Sequence, residues 1–190
     1  MAIAAAHLKE DVPVVRLDFP MTRDKAILAA AWKANAGKVA EILEKGEDAA
    51  FITLGDPMTY STFGYIMHTI KETYPDIPVK IVPGITSYQA GAAAAGWVLA
   101  EGEESLTVIS GTMGGKRLKE VISHTDNIIM LKVYRNYRDI LDTLNDLEMT
   151  AGSALITRCG LEGEEIVLNL KDGLKTPPPY FSLLLIRKKG

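Results

Sequence analysis

The sequence predicts an α/β protein whose second half carries a mixed sheet, and three observations point that way. Short, nearly continuous apolar runs end in glycine- and proline-bearing turns that feed helical patterns, twice within the first hundred residues. That order of strand, turn and helix is the pattern of a parallel sheet buried on both faces. Later in the chain, strand-like runs follow one another with little helix between them, which brings antiparallel pairs into the sheet. A hydrophobic content of 47% over 190 residues is enough for the core of one moderate domain or two small ones.

Residues 22–46 place Leu28, Ala31, Trp32, Asn35, Val39, Ile42 and Leu43 at helical spacing, with Thr22 as candidate N-cap and Gly46 as the stop. "AAFITL" (49–54) then reads as a buried strand ending in the turn "LGDP". Residues 60–74 read as a helix, "VKIV" (79–82) as a second buried strand, and "PGITSYQAGAAAAG" (83–96) as a turn opening a small-residue helix. "AEGEESL" (100–106) interrupts with charge and glycine, so the expected domains are 1–101 and 102–190. Beyond it, "LTVIS" (106–110), "NIIMLKV" (127–133), "SALIT" (153–157), "EEIVLNL" (164–170) and "YFSLLLIRK" (180–188) are the expected strands. "RDILDTLNDLEM" (138–149) puts Ile140, Leu141, Leu144 and Leu147 on one helical face.

A formal net charge of -3 gives no basic excess, so neither nucleic acid nor an anionic membrane is the expected partner. The opening "MAIAAAHLKED" is too short for a membrane span and lacks a signal-peptide layout, which predicts an untargeted, cytoplasmic protein. The single cysteine, Cys159, has no partner for an internal disulfide, and no Cys/His spacing calls for a metal.

Ligands of open α/β sheets bind at the carboxyl ends of strands, where turns and helix starts offer free N–H groups. "LGDP" (54–57) and "VPGITS" (82–87) are two such turns: Gly55 permits close backbone approach, and Asp56 accepts hydrogen bonds either from a ligand or from the turn itself. "GTMGGKR" (111–117) fails as a phosphate loop, because Ser110 stands five positions before Gly115 and Arg117 follows Lys116. No G-x-G-x-x-G follows an expected strand, and His7, His68 and His124 are scattered rather than set at ligand spacing. "LKVYRNYRD" (131–139) combines Lys132, Arg135 and Arg138 with Tyr134 and Tyr137, a composition suited either to a flat carboxylate ligand or to a solvated helix start.

Three stretches together, "DFPMTRD" (18–24), "FITLGDPMTYSTFGYI" and "VPGITSYQAGAAAAG", resemble the tetrapyrrole methylases, and within them the C-20 methyltransferases acting on precorrin-2 or cobalt-factor II. The resemblance implies two α/β domains with S-adenosylmethionine folded into the cleft between them, a homodimer, and a tetrapyrrole substrate. Carried over motif by motif, it implies cofactor contacts from Leu54, Gly55, Asp56 and Thr59, from Thr86 and Ser87, and from Lys132 and Cys159 in the second domain. Tyr60, Tyr134, Arg135, Arg138 and Tyr180 are the implied substrate contacts, with Arg158 a further cation for the ring's carboxylates. Relatives of that family begin with a strand and a G-x-G-P-G-D loop that this sequence lacks, and its start corresponds to a point well inside the first domain.

The implied reaction is an in-line displacement at a sulfonium methyl, in which positioning does much of the work. The proton lost afterwards at a meso carbon requires water, an acidic group or a tyrosine. Alternatives within the same family are another precorrin or uroporphyrinogen methyltransferase, a diphthine synthase or a ribosomal RNA methyltransferase. A different class of reading is a non-catalytic chain that binds cofactor or tetrapyrrole, or that only dimerises.

Overall fold

The computed structural model describes residues 4, 8–9, 11–171, 173 and 176–188. His7 and most of the opening segment lie outside them. The chain packs as two compact units, Met1–Ile85 and Thr86–Gly190. Residues 86–101, read from sequence with the first domain, therefore pack with the second unit.

In the first unit, α1 (Lys25–Leu43) and α2 (Phe63–Thr73) pack together, with Ala36, Ile66 and Ile70 at the centre. Asp24, not Thr22, caps α1, its carboxylate accepting from the N–H groups of Ala26 and Ile27. Thr22 stands two residues outside, its hydroxyl accepting from Asp24 N at 3.1 Å. Leu17, Phe19, Phe51, Ile77 and Val79 lie against these helices. The strands expected at 49–54 and 79–82 do not form. Along 51–54 exposure alternates: Phe51 and Thr53 face inward, whereas Ile52 and Leu54 stand 56% and 62% exposed. The first run shows a strand's two-residue period, but among the described residues neither run has a ladder to satisfy its N–H and C=O groups.

The second unit holds the mixed sheet that the sequence predicts, in the order β1-β2-β5-β3-β4. Its strands are β1 (Leu106–Ser110), β2 (Asn127–Leu131), β3 (Ser153–Thr157), β4 (Glu165–Leu168) and β5 (Ser182–Arg187). β1 and β2 pair in parallel, while β5 runs antiparallel to both β2 and β3, as does β4 to β3. The carboxyl ends of β1, β2 and β3 therefore share one edge with the start of β5.

Alternation sorts the central strands onto two faces. Ile128, Met130, Leu155, Leu184 and Ile186 pack under α4 (Lys116–Val121) and α5 (Tyr137–Asp146), with Leu118, Ile140 and Leu144. Ile129, Leu131, Ala154, Ile156, Leu183 and Leu185 face the other way, against Ala92 and Tyr88 of α3 (Ser87–Ala95). The helix α4 was not anticipated, because the glycines before it read as loop and its apolar face is short. β2 ends at Leu131 rather than 133 because Lys132 turns left-handed (φ 59°) and a 3-10 turn, Val133–Arg135, follows.

At the opposite edge, Asp126 accepts from both the N–H and the hydroxyl of Ser105, tying the starts of β1 and β2. Arg187 donates to Val98 O and Asn127 Oδ1 and lies over the Trp97 ring, fixing the connector after α3 to the sheet.

Candidate functional site

The residues singled out by sequence fall into two sets, one in each unit. In the first, Gly55 takes φ 85°, a value L side chains rarely adopt, and the chain reverses into Asp56–Pro57. Asp56 Oδ1 accepts from Met58 N at 2.9 Å and from the Thr59 hydroxyl at 3.3 Å. Its Oδ2 accepts from Gly84 N at 2.9 Å, joining the two turns. A Cβ on Gly84 would collide with the Gly55 carbonyl, so the turns meet backbone to backbone and only glycine fits. The Gly84 N–H, followed by that of Met58, holds the Asp56 carboxyl below its usual range. Leu54 and Tyr60 are exposed, and Tyr60 also has positive φ, 52°. Ser61, absent from the sequence reading, shares a hydrogen bond with Thr53 at 3.1 Å and accepts from Phe63 N, anchoring the start of α2.

Thr86 is buried and forms a capping box with Gln89: its oxygen accepts from Gln89 N, and its N–H donates to Gln89 Oε1. Two of the four N-terminal groups of α3 are thereby satisfied, and helix geometry leaves the N–H groups of Ser87 and Tyr88 without intrahelical acceptors. Thr86 thus shapes the helix start, while Ser87, exposed at its first position, presents it to solvent.

In the second unit, the shared edge gathers most of the remaining candidates. Lys132 follows β2, Cys159 lies just beyond β3, and Tyr180 precedes β5. The rings of Tyr134 and Tyr180 stand 5.1 Å apart, and Phe181 meets Tyr180 edge-on at 5.1 Å. Arg135 Nε donates to the Tyr134 hydroxyl at 2.7 Å, with its guanidinium carbon 5.5 Å from that ring. The result is a half-exposed aromatic shelf bearing a cation, able to stack on a flat ligand and pair with its acids. Phe181 was missed, although its place beside Tyr180 before an apolar strand was a signal. Arg138 is exposed on α5, one turn beyond the shelf residues.

Two residues at this edge, Lys132 and Arg158, hold left-handed backbone (φ 59° and 49°). The conformation costs a non-glycine residue about 1–2 kcal/mol. Asn136 braces the edge from below, its amide donating to the carbonyls of Gly111 and Thr112 at 3.2 and 3.0 Å. Cys159 packs against the α3 side of the sheet, where burial, followed by Glu164, raises its thiol above the ordinary value. Its thiolate is suppressed, so what it offers at this edge is a small neutral side chain. Among the described residues no cluster of His, Cys, Asp and Glu is able to hold a metal ion, and no helix is long and apolar enough to cross a membrane.

Two glycine-linked turns in an α/β chain and a cationic, aromatic strand edge fit the family whose model matches residues 2–172, the tetrapyrrole (corrin/porphyrin) methylases. The chain belongs to that family, and with it to the S-adenosylmethionine-dependent C-methyltransferases. It is 32% identical over its whole length to the cobalt-precorrin-2 C(20)-methyltransferase of Salmonella typhimurium, covering 79% of that protein. A probable cobalt-precorrin-2 C(20)-methyltransferase of Methanocaldococcus jannaschii is 33% identical over 92% of the chain and 73% of the relative. Among solved structures, the methyltransferase CobJ shares the fold with a TM-score of 0.65 at 19% identity, over 83% of this chain and 74% of that one.

Proposed function

We propose that this chain transfers a methyl group from S-adenosylmethionine to C-20 of precorrin-2 or its cobalt-bearing counterpart, as a homodimer in cobalamin biosynthesis. The observation that carries the reading is the 32% identity, over the whole of this chain and 79% of the relative, to a protein named for that carbon. The site residues support it. In the first unit, Leu54, Gly55, Asp56 and Thr59 form a turn with no Cβ in the way. In the second, Thr86 and Ser87 open a helix with two free N–H groups, suited to the carboxylate of an amino-acid-bearing cofactor. Lys132 and Cys159 are the remaining proposed cofactor contacts. Tyr60, Tyr134, Arg135, Arg138 and Tyr180 are assigned to the substrate, a flat ring with carboxylates on its rim.

When bound, S-adenosylmethionine supplies an electrophilic methyl on a sulfonium. The chain's own contribution is to orient: Asp56 locks one turn to the other so that Gly55 stays open, and the shelf at Tyr134 and Tyr180 sets the plane of the acceptor ring. Asp56 is a binding residue in this scheme, since its oxygens are already engaged by N–H and hydroxyl donors.

Calorimetric titration with S-adenosylhomocysteine tests the reading. Saturable binding that weakens about tenfold or more in Asp56→Ala is the expected result. Absence of binding to the folded chain would overturn it. Mass spectrometry of the metal-free and cobalt-bearing tetrapyrroles, only one of which is expected to gain a methyl, then assigns the acceptor.

A further inference from the structure

We propose that the turn after β1 is a further wall of the acceptor site, and that Met113 at its tip packs on the face of the flat ring. The inference rests on the tetrapyrrole reading above and deepens it. Ser110 pairs with Leu131 and Leu131 with Leu183. The turn after β1, the turn that carries Tyr134 and the approach that carries Tyr180 therefore leave the sheet at one level. Two strand spacings of about 4.8 Å put the outer two on the order of 10 Å apart, side by side within reach of a single macrocycle. The 3-10 turn Gly111–Met113 also packs against Val133–Arg135, the segment that bears Tyr134.

Side chains at the start of α5 hold this turn at both ends. The Asn136 amide donates to the Gly111 and Thr112 carbonyls, and Asp139 Oδ2 accepts from Gly115 N at 2.8 Å. A Cβ on Gly114 would strike the Asp139 carboxylate, and one on Gly115 the Thr143 hydroxyl. The glycines that fail to make a phosphate loop of "GTMGGKR" instead let its backbone close on α5. Gly111, Gly114 and Gly115 are buried, and the Ser110 and Thr112 hydroxyls share a hydrogen bond at 3.1 Å. What the fixed turn presents is Met113, 62% exposed. A solvated tip needs neither a fixed backbone nor an apolar side chain. A thioether held beside an aromatic shelf gains from a conjugated ring laid across both.

Fluorescence titration of the full chain with uroporphyrin and coproporphyrin, rings of eight and four carboxylates, tests this in wild type, Met113→Ala, Met113→Leu and Met113→Gln. S-adenosylhomocysteine calorimetry and melting temperature are measured on each. Met113→Ala is expected to weaken both porphyrins alike, by about tenfold, because a contact with the ring face does not count the acids on its rim. Met113→Leu, apolar and of similar volume, recovers most of the loss, whereas Met113→Gln, of similar length but polar, does not. Melting temperature stays level, as befits an exposed side chain, and S-adenosylhomocysteine affinity is unchanged. Equal porphyrin affinity in wild type and Met113→Ala overturns the proposal, as does a Met113→Gln variant that binds like wild type or a Met113→Leu variant no better than Met113→Ala. A loss matched by a lowered melting temperature, or one that falls on S-adenosylhomocysteine instead, overturns it too. Wild type that binds S-adenosylhomocysteine but neither porphyrin overturns the role of Met113 and leaves the cofactor side of the methylase reading standing. Binding of none of the three overturns both.

Discussion

The apolar runs 49–54 and 127–131 are near equals in composition, yet only the second is a strand. All five residues of β2 are buried, paired on one side with β1 and on the other with β5, under helices on both faces. Phe51 and Thr53 face inward in the first run, while Ile52 and Leu54 face solvent. An apolar run encodes a readiness to be covered; whether it becomes a strand depends on a neighbour that offers backbone partners. The two units are thus a comparison of one sequence pattern with and without its partners.

Hydrogen exchange puts the largest number on that difference. Amides of 127–131 and 183–186 are expected to exchange roughly a thousandfold or more slowly than those of 49–54 and 79–82, because ladder bonds open only with the unit. Equal protection in both would break the comparison, by showing that 49–54 is paired in solution.

Side-chain truncation sharpens it next. Leu184→Ala, at a fully buried position between β2 and β3, is expected to destabilise the second unit by about 3 kcal/mol. Leu54→Ala, at 62% exposure, should change the first unit by less than about 0.5 kcal/mol. The two tryptophans, Trp32 and Trp97, fall one in each unit, so Trp→Phe variants let urea unfolding be read unit by unit.

Glycines give a smaller contrast within the first unit. Gly84→Ala places a Cβ against the Gly55 carbonyl and should cost about 1–3 kcal/mol while weakening S-adenosylhomocysteine binding. Gly64→Ala, inside α2 with nothing within 4 Å of the new methyl, should stabilise by about 0.5–1 kcal/mol. Stabilisation by both would mean that the two turns are not held in contact.

The fold of the second unit was largely legible, because alternating Ile, Leu and Val with short connections specify strands whose neighbours are also in the sequence. Its strand ends were not: nothing in "LKV" shows that Lys132 turns left-handed, since lysine has no preference for that conformation. For the first unit the helices were readable and the strands were not, because pairing is a property of two segments. At the site, Gly55 and Asp56 were found as turn formers, yet the bond from Gly84 N to Asp56 joins residues 28 apart, a distance at which spacing says nothing. Thr86 was selected as a ligand contact; its capping box with Gln89 was readable from the Thr-x-x-Gln spacing.

Acid titration yields the smallest effect and a direct check on the turn contact. Asp56 and Asp126 each tie two segments through N–H donors, one in each unit, and each carboxyl is held below its ordinary value: Asp56 by Gly84 N, Asp126 by Ser105 N. A folded-state value below the unfolded one means that the unfolded chain binds the proton more readily. The stabilisation is therefore fully present above the unfolded value of about 3.9 and is lost as pH falls through the depressed folded value. Asp56→Asn should be less stable than wild type at pH 6 when the first unit is followed through Trp32, and the gap should begin to narrow below about pH 4 and close only once the pH has fallen through the depressed folded value. Asp126→Asn should do the same when the second unit is followed through Trp97. A gap at Asp56 that does not depend on pH would mean that its charge is not what holds Gly84, and that the turns meet through shape alone.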